Sequence, residues 1–247
     1  MLTKKIVKYI QSLSHKKFRD EEGAFIAEGP KVVSEFLLSE KFDLNILCAE
    51  KEWLFENESL IKNISSENVF EIDEHWLTRI SLLKTPNKVV AVFKQNNTIV
   101  HPVLKDKISI MLDDLQDPGN MGTIIRIADW FNIENLICSE NSVDCFNPKV
   151  VQSTMGSLSR VNIVYTDLIS FIQSNKAINI YAATLDGESI FEMNKIKEGI
   201  ILIGNESSGI HAGLLNISSN KITIPRFGNA ESLNAAVSTG IILSHIK

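Results

Sequence analysis

No apolar run in this 247-residue chain approaches the ~20 residues that span a bilayer, so a membrane helix is excluded. Cysteine is scarce. Cys48, Cys138 and Cys145 are odd in number and lack metal-ligand spacing, which excludes a disulfide scaffold and implies a thiol-reduced, cytoplasmic protein. The opening MLTKKIVKYIQSLSHKKFR has neither the apolar stretch nor the small-residue cleavage site of a secretory signal. His15, His75, His101, His211 and His245 are scattered without ligand spacing, so no metal is expected. Two phosphate-binding codes are missing, GxGxxG and GxxxxGK followed by Ser or Thr, which argues against a Rossmann dehydrogenase and a P-loop NTPase. Excess positive charge is also lacking: 25 Lys and Arg against 30 Asp and Glu leave a net charge of -5. With 44% hydrophobic and 22% charged residues, the chain reads as an ordinary globular protein.

Net charge hides its distribution. Lys4, Lys5, Lys8, Lys16, Lys17 and Arg19 fall within the first 19 residues, which contain no acid. A local patch of this kind binds phosphate on an otherwise acidic protein. The alternative is a solvated amphipathic helix that buries Leu2, Ile6, Ile10 and Leu13. Further along, Gly29-Pro30 before KVVSEFLL predicts a helix start. Strands are expected at 44–50 and 88–94, with short helices at 52–62 and 73–80. These make a small α/β unit over 1–94. QNNTIVHP (95–102) is polar, has no helical period and reads as a linker.

From 103 to 247 the pattern becomes longer strand–turn–helix units. Strands are expected at 108–114, 134–139, 162–166, 178–184, 199–205 and 221–225, and the last helix at 232–246. Alternation of this kind implies an α/β fold whose mostly parallel sheet is covered on both faces. Ligands in such sheets lie beyond the carboxyl ends of strands. Three polar, glycine-containing segments follow strands here: DPGNMGTIIRIA (117–128), GNESSGI (204–210) and IPRFGNAESLNAAVS (224–238). Each has a plain structural explanation. Gly119 and Gly122 suit a tight turn, and Asn205, Glu206, Ser232 and Asn234 suit caps and turns. Arg126, near the first turn or two of its helix, opposes the helix dipole. It either points into solvent or is held there to meet an anion.

Together, in this order and spacing, the three segments resemble the signature motifs of the SpoU (TrmH-like) RNA ribose methyltransferases of the SPOUT superfamily. The first motif corresponds to Asn120, Gly122, Arg126 and Ala128. The second corresponds to Gly204, Asn205, Glu206 and Gly209, and the third to Ile224, Pro225, Gly228, Ser232, Leu233 and Asn234. NPKVVQSTMGSLSRV (147–161) is similar to the family's connecting segment, and FIAEGPKVV to the start of its N-terminal domain. The family usually places Met after Ile-Pro, where this chain has Arg226.

The resemblance implies a deep trefoil knot in the C-terminal part, preceded by a ribosomal-protein-like RNA-binding domain. It also implies S-adenosylmethionine as cofactor, a homodimer built on the last helix, and methyl transfer to a ribose 2′-hydroxyl. Structured ribosomal RNA is the favoured substrate over transfer RNA. A non-catalytic RNA-binding protein on the same fold is the competing reading. Arg126 would then be the base, or would clamp a phosphate and stabilise the developing alkoxide; a guanidinium, effectively always protonated, makes a demanding base. Asn120 would orient Arg126 or the ribose, Glu206 would lock its motif, and Ser232 and Asn234 would touch substrate or cofactor. Leu202, Ile203, Ile224 and Leu233 would flank the adenine, with backbone near Gly204 reading its edge. The departing group is a neutral thioether, so the reaction calls for no metal.

Overall fold

The computed structural model describes residues 2–39, 41–96 and 101–247. The chain divides into two compact units, Met1–Ile99 with Asp144–Arg160, and Val100–Val143 with Val161–Lys247. The first unit opens with helices α1 (Lys4–Ser12) and α2 (Lys16–Glu22), strand β1 (Ala24–Glu28), and α3 (Pro30–Leu38). It continues through β2 (Leu44–Ala49), α4 (Lys51–Glu56), α5 (Glu58–Ile61), β3 (Val69–Glu71), α6 (Glu74–Ile80) and β4 (Val89–Lys94). The strands form one mixed sheet in the order β1-β4-β2-β3. Every residue of β1 is buried, because both faces are covered. On one side Ala24 and Ile26 join Val7, Ile10, Leu13, Leu77 and Ile80 from α1, α6 and the turn after α1. On the other, Phe25, Phe36, Phe42 and Phe93 form an aromatic cluster, with Phe25 5.1 Å from Phe42 and 5.5 Å from Phe36.

The second unit begins with β5 (Ile108–Leu112), α7 (Pro118–Trp130) and β6 (Asn135–Cys138). The chain then makes an excursion whose helix α8 (Pro148–Thr154) belongs to the first unit. It returns through β7 (Asn162–Tyr165), α9 (Leu168–Ser174), β8 (Ile180–Ser189) and β9 (Gly199–Ile203). α10 (Ala212–Ile217), β10 (Asn220–Thr223) and α11 (Ala235–Ile246) complete it. All neighbours in the six-stranded sheet, ordered β10-β8-β9-β5-β6-β7, are parallel. The chain runs outward from β5 to β7, crosses to β8 and comes back to β9 beside β5. The reversal of strand order therefore falls between β9 and β5, where ligands of open α/β sheets bind.

Several expectations need correction. The expected division into 1–94 and 103–247 is a division of the sequence; by contacts, 144–160 packs with the first unit. Phe146 lies 4.8 Å from Phe25, and Val150, Val151 and Leu158 are fully buried. Of the expected linker, 97–100 lie outside the described residues; Gln95 is tied back by bonds to the Arg19 and Ala24 carbonyls. A turn over 116–120 would start helix α7 at Met121, but it starts at Pro118. Asp117 caps it and Pro118 occupies its first position, where the missing N–H costs nothing. Arg126 therefore stands in the third turn, beyond most of the N-terminal dipole. Helix α11 starts later, at Ala235, with Asn234 as its cap. No helix of the described residues is long and apolar enough to cross a membrane.

Arg19 is also corrected. The sequence groups it with the RNA-binding cations, but it is 2% exposed. Its guanidinium binds Asp144 at 2.7 Å and donates to the Leu13 and Ser14 carbonyls at the end of α1. A charge this deep persists only when paired and hydrogen-bonded. Lys16 and Lys17 lean on Asp20 and Glu21 one turn along α2, at 2.7 and 3.8 Å. Lys4, Lys5 and Lys8 remain exposed on α1.

Candidate active site

The three polar segments leave the same end of the parallel sheet, from β5, β9 and β10. Asn120 joins them. Its amide nitrogen donates to Glu206 Oε1 at 2.9 Å, and its carbonyl oxygen accepts from Asn234 Nδ2 at 2.8 Å. Asn234 in turn accepts from the Ala236 and Val237 N–H groups and so fixes the start of α11. Burial opposes the charge on Glu206. Hydrogen bonds from Asn120 and from the Gln116 and Asp117 N–H groups outweigh it and hold the carboxyl below its usual range.

The second segment is a tight loop closed by reciprocal backbone bonds of 3.0 Å between Asn205 and Gly209. A Cβ on Gly204 would lie 2.3 Å from the Gly209 carbonyl carbon, so only glycine fits. Gly209 itself has φ +71, a left-handed conformation. The Asn205 side chain accepts from the Ser207 and Ser208 N–H groups and donates to the Asp114 carbonyl at 2.7 Å. This last bond ties the loop after β9 to the end of β5.

The third segment is open. A Cβ on Gly228 would meet nothing within 4 Å, Phe227 is 91% exposed, and Leu233 is half exposed. Ile224 and Pro225 are half-buried, Ser232 stands exposed before α11, and the Arg226 guanidinium reaches the Ala230 carbonyl at 3.3 Å. Arg126 is exposed on α7 and has no ion pair among the described residues. Leu202 and Ile203 are corrected here. Both are buried in β9, and Leu202 packs against Met111 and Ile137 in the core, so it offers no surface to an adenine.

Sequence reasoning missed Asp113, 8% exposed, which accepts from the His211 N–H at 2.7 Å and anchors the far end of the second segment. Two adjacent aspartates after a strand carry no distinctive signal. It also missed the distal half of β8. Pairing with β10 jumps from Ala182 to Glu188, a register shift beside which Leu185 is exposed and Gly187 lies tight against Lys221 and Ile222. A cavity of about 150 Å³ is lined by Asp113 and His211 together with Glu140 and Asp167. It is acidic and contains none of the residues that join the segments. Among the described residues, no three His, Cys, Asp or Glu are grouped to hold a metal ion.

This arrangement fits a nucleoside cofactor. The loop after β9 leaves the sheet at the strand-order reversal, Ile224 and Leu233 of the third segment are only partly covered, and α7 carries an exposed guanidinium, Arg126.

Comparison with known proteins agrees. Residues 107–244 match the SpoU rRNA Methylase family, and residues 4–91 match the MRM3-like substrate binding domain. The chain is 28% identical over 246 residues to the Bacillus subtilis 23S rRNA (guanosine(2553)-2′-O)-methyltransferase RlmP, covering 98% of this chain and 95% of RlmP. A TrmH-family protein from Porphyromonas gingivalis superposes with a TM-score of 0.86 at 34% identity, over 100% of this chain and 98% of that one. The AdoMet-bound rRNA methyltransferase from Sinorhizobium meliloti gives 0.85 at 30%, over 100% and 95%. With its three motifs joined through Asn120 and more than half its length matched, the chain belongs to the SpoU rRNA methylase family.

Proposed function

We propose that this protein methylates a ribose 2′-hydroxyl of ribosomal RNA in the cytoplasm, with S-adenosylmethionine as methyl donor. The observation that carries the reading is the Glu206–Asn120–Asn234 chain of hydrogen bonds, which draws three strand-end segments into one site. Its support from relatives is the 2′-O-methyltransferase RlmP and the AdoMet-bound S. meliloti enzyme. Ile224, Pro225, Gly228 and Leu233 would hold the cofactor with backbone of 204–209, and Ser232 would contact it or the ribose. When bound, the cofactor supplies an electrophilic methyl group on a sulfonium. In-line attack demands that donor and hydroxyl be fixed in position, and that is where much of the rate arises. A guanidinium is effectively always protonated, so it donates hydrogen bonds and does not take up a proton. Arg126 therefore clamps the RNA phosphate and stabilises charge growing on the 2′-oxygen. Asn120 and Glu206 position the segments without touching the reacting atoms.

The dimer belongs to the same reading. Helices α7 and α11 pack on each other, and Gly240 lies against Ile127. Trp130 on α7 is 85% exposed and Val237 on α11 50%, and Gly240 and Ile241 are half-buried. Large apolar groups left bare on two packed helices suit a second copy of the chain. Ile241→Glu would place a charge in that contact and is expected to yield monomers by light scattering, with weaker cofactor binding. The deep knot is likewise part of this proposal; its support is membership of the SpoU family.

Transfer of labelled methyl from S-adenosylmethionine to purified ribosomal RNA tests the function. Wild-type protein should label ribosomal RNA, and mapping should find a 2′-O-methyl nucleotide. Arg126→Ala should lose about 10²–10³ in rate while keeping cofactor affinity. Arg126→Lys should also fail, since an ammonium lacks the planar fork. Labelling confined to transfer RNA would replace the substrate class. Normal turnover by folded Arg126→Ala would remove this residue from the mechanism.

A further inference from the structure

The first unit holds a second cavity, of about 520 Å³, within the ~300–1,000 Å³ range of small-ligand sites. Sheet topology explains its position. Strands β1 and β2 both run antiparallel to β4, so the exits of β1 and β2 meet the entry to β4. The Gly29 N–H donates to the Val89 carbonyl and the Glu50 N–H to the Lys88 carbonyl, each at 2.9 Å. The cavity opens where these three connections converge, between the start of α3, the later part of α4 and the segment before β4.

Its lining is chemically mixed. Lys31 and Lys88 supply cations, and Ser34, Asn57 and Asn87 supply neutral polar groups. Trp53, fully buried, forms the floor, and Glu56 is an acceptor. Asn57 donates to the Trp53 carbonyl at 2.8 Å, which leaves its own oxygen to accept. Ser34 and Asn87 make no side-chain hydrogen bond among the described residues. Lys88 is held at φ +54, a left-handed conformation uncommon for a bulky residue, and pairs with Glu52 at 3.2 Å. Phe55, 80% exposed, precedes Glu56 on α4. The entry to β4 is anchored from the other side as well. The buried Glu28 carboxylate accepts from the Ser81 hydroxyl and from the Leu82 N–H at 3.0 Å. Residues 81–88 are thus fixed by a buried group at one end and a strained residue at the other.

Glu52 and Glu56 disfavour a bare phosphate. Lys88 is already paired with Glu52, so Lys31 is the cation left for one flanking phosphate, and the neutral donors and acceptors of Ser34, Asn57 and Asn87 suit the base of a nucleotide. Bases splayed out of single-stranded loops are read through their edges in this way. Resting on the proposed methylation of ribosomal RNA, we propose that this cavity captures one unpaired nucleotide of the substrate RNA, apart from the methylated one, and so selects the RNA.

The test uses the full-length protein and an in vitro transcript of large-subunit ribosomal RNA carrying photoreactive thio-substituted bases. Two variants are compared, Lys31→Ala with Asn87→Ala, which empties the lining, and Ser34→Trp, which fills the cavity. Either should weaken transcript binding about tenfold and raise the KM for RNA. S-Adenosylmethionine affinity and kcat at saturating RNA should stay unchanged. In wild-type protein, crosslinks should map to peptides containing 31–34 or 53–57, and the variants should lose them. If Ser34→Trp fails to fold by circular dichroism, the double variant decides. Wild-type crosslinks that map elsewhere, or a folded double variant that binds and methylates like wild type, overturn the nucleotide pocket but leave the methylation reading standing. A wild-type protein that binds no ribosomal RNA overturns both.

Discussion

Two carboxylates show how differently burial and hydrogen bonding balance at single residues of this chain. Glu206 is held below the usual carboxylate range by donors that outweigh its partial burial. A depressed group stabilises the fold above its unfolded value, and that contribution disappears as pH falls through the folded value. Asn120→Ala removes the side-chain donor to Glu206 and leaves Asn234 without its acceptor. Its melting temperature should therefore fall below wild type at pH 7, and the gap should narrow by pH 3. Because Asn120 positions three segments, methyl transfer should drop about 10²-fold. Glu28 has the opposite sign. Burial pushes its carboxyl up, against the hydrogen bonds from Ser81, Leu82 and Leu83. Ionising it costs stability, so its effect is absent below the ordinary carboxylate range and grows as pH rises towards the folded value. Glu28→Gln keeps an acceptor for Leu82 and a donor for Ser81. Its thermal stability should change less than wild type between pH 4 and pH 8. Glu28→Ala strands the Leu82 N–H and should cost about 1–3 kcal/mol at low pH, where the wild-type carboxyl is uncharged, and less as pH rises. Equal pH slopes for wild type and Glu28→Gln in melting curves would show that Glu28 does not titrate in the folded protein.

Among the elements, strands and motif segments were legible because their signals are local. β5 and β9 are short apolar runs bounded by turn residues, and Gly204 and Gly209 mark a loop that no other residue can build. Helix boundaries were less legible. Pro118 reads as a turn residue in DPGN, yet after Asp117 it opens α7, and this moved Arg126 by a turn. Burial of a charge was not legible at all. Arg19 sits in a run of lysines and reads as surface, while the partner that draws it inward, Asp144, is 125 residues away. Nothing in the run itself distinguishes Arg19 from Lys17. This pairing also fixes α2 against the 144–160 excursion, so it should behave as structure and not as an RNA contact. Arg19→Ala would leave Asp144 unpaired and two carbonyls uncapped, with an expected loss of about 3–5 kcal/mol. Replacing both members, Arg19→Met with Asp144→Leu, should cost far less. Neutralising Lys4, Lys5 and Lys8 should do the reverse, leaving the melting temperature unchanged and flattening the salt dependence of RNA binding. Denaturation curves beside salt titrations separate the two groups. An Arg19→Ala protein with wild-type stability and a flattened salt slope would return Arg19 to the RNA-binding face.

At the scale of the molecule, the excursion changes what a truncation can test. By sequence, residues 103–247 read as a separate domain. In the structure, the chain leaves the parallel-sheet unit after Val143 and re-enters at Val161, and all that lies between packs with the first unit. Val150, Val151 and Leu158 are each at most 1% exposed there, and Phe146 extends the phenylalanine cluster. Fully burying such a side chain is worth roughly 1.5–3 kcal/mol. Deleting the first 94 residues would strip that cover and leave a contiguous apolar patch on a segment with no core of its own. The fragment 101–247 is therefore expected to aggregate, although every residue of the candidate active site is present in it. The same fragment with 145–159 replaced by a flexible Gly/Ser linker should be soluble and should bind S-adenosylmethionine. It should methylate ribosomal RNA poorly, because it lacks the substrate-binding unit. Light scattering reports the first difference and calorimetry with the cofactor the second. If the fragment with its native excursion is as soluble and as competent for cofactor as the full-length protein, residues 144–160 are not an integral part of the first unit's core, and the linker between 95 and 102 is the true boundary of the two.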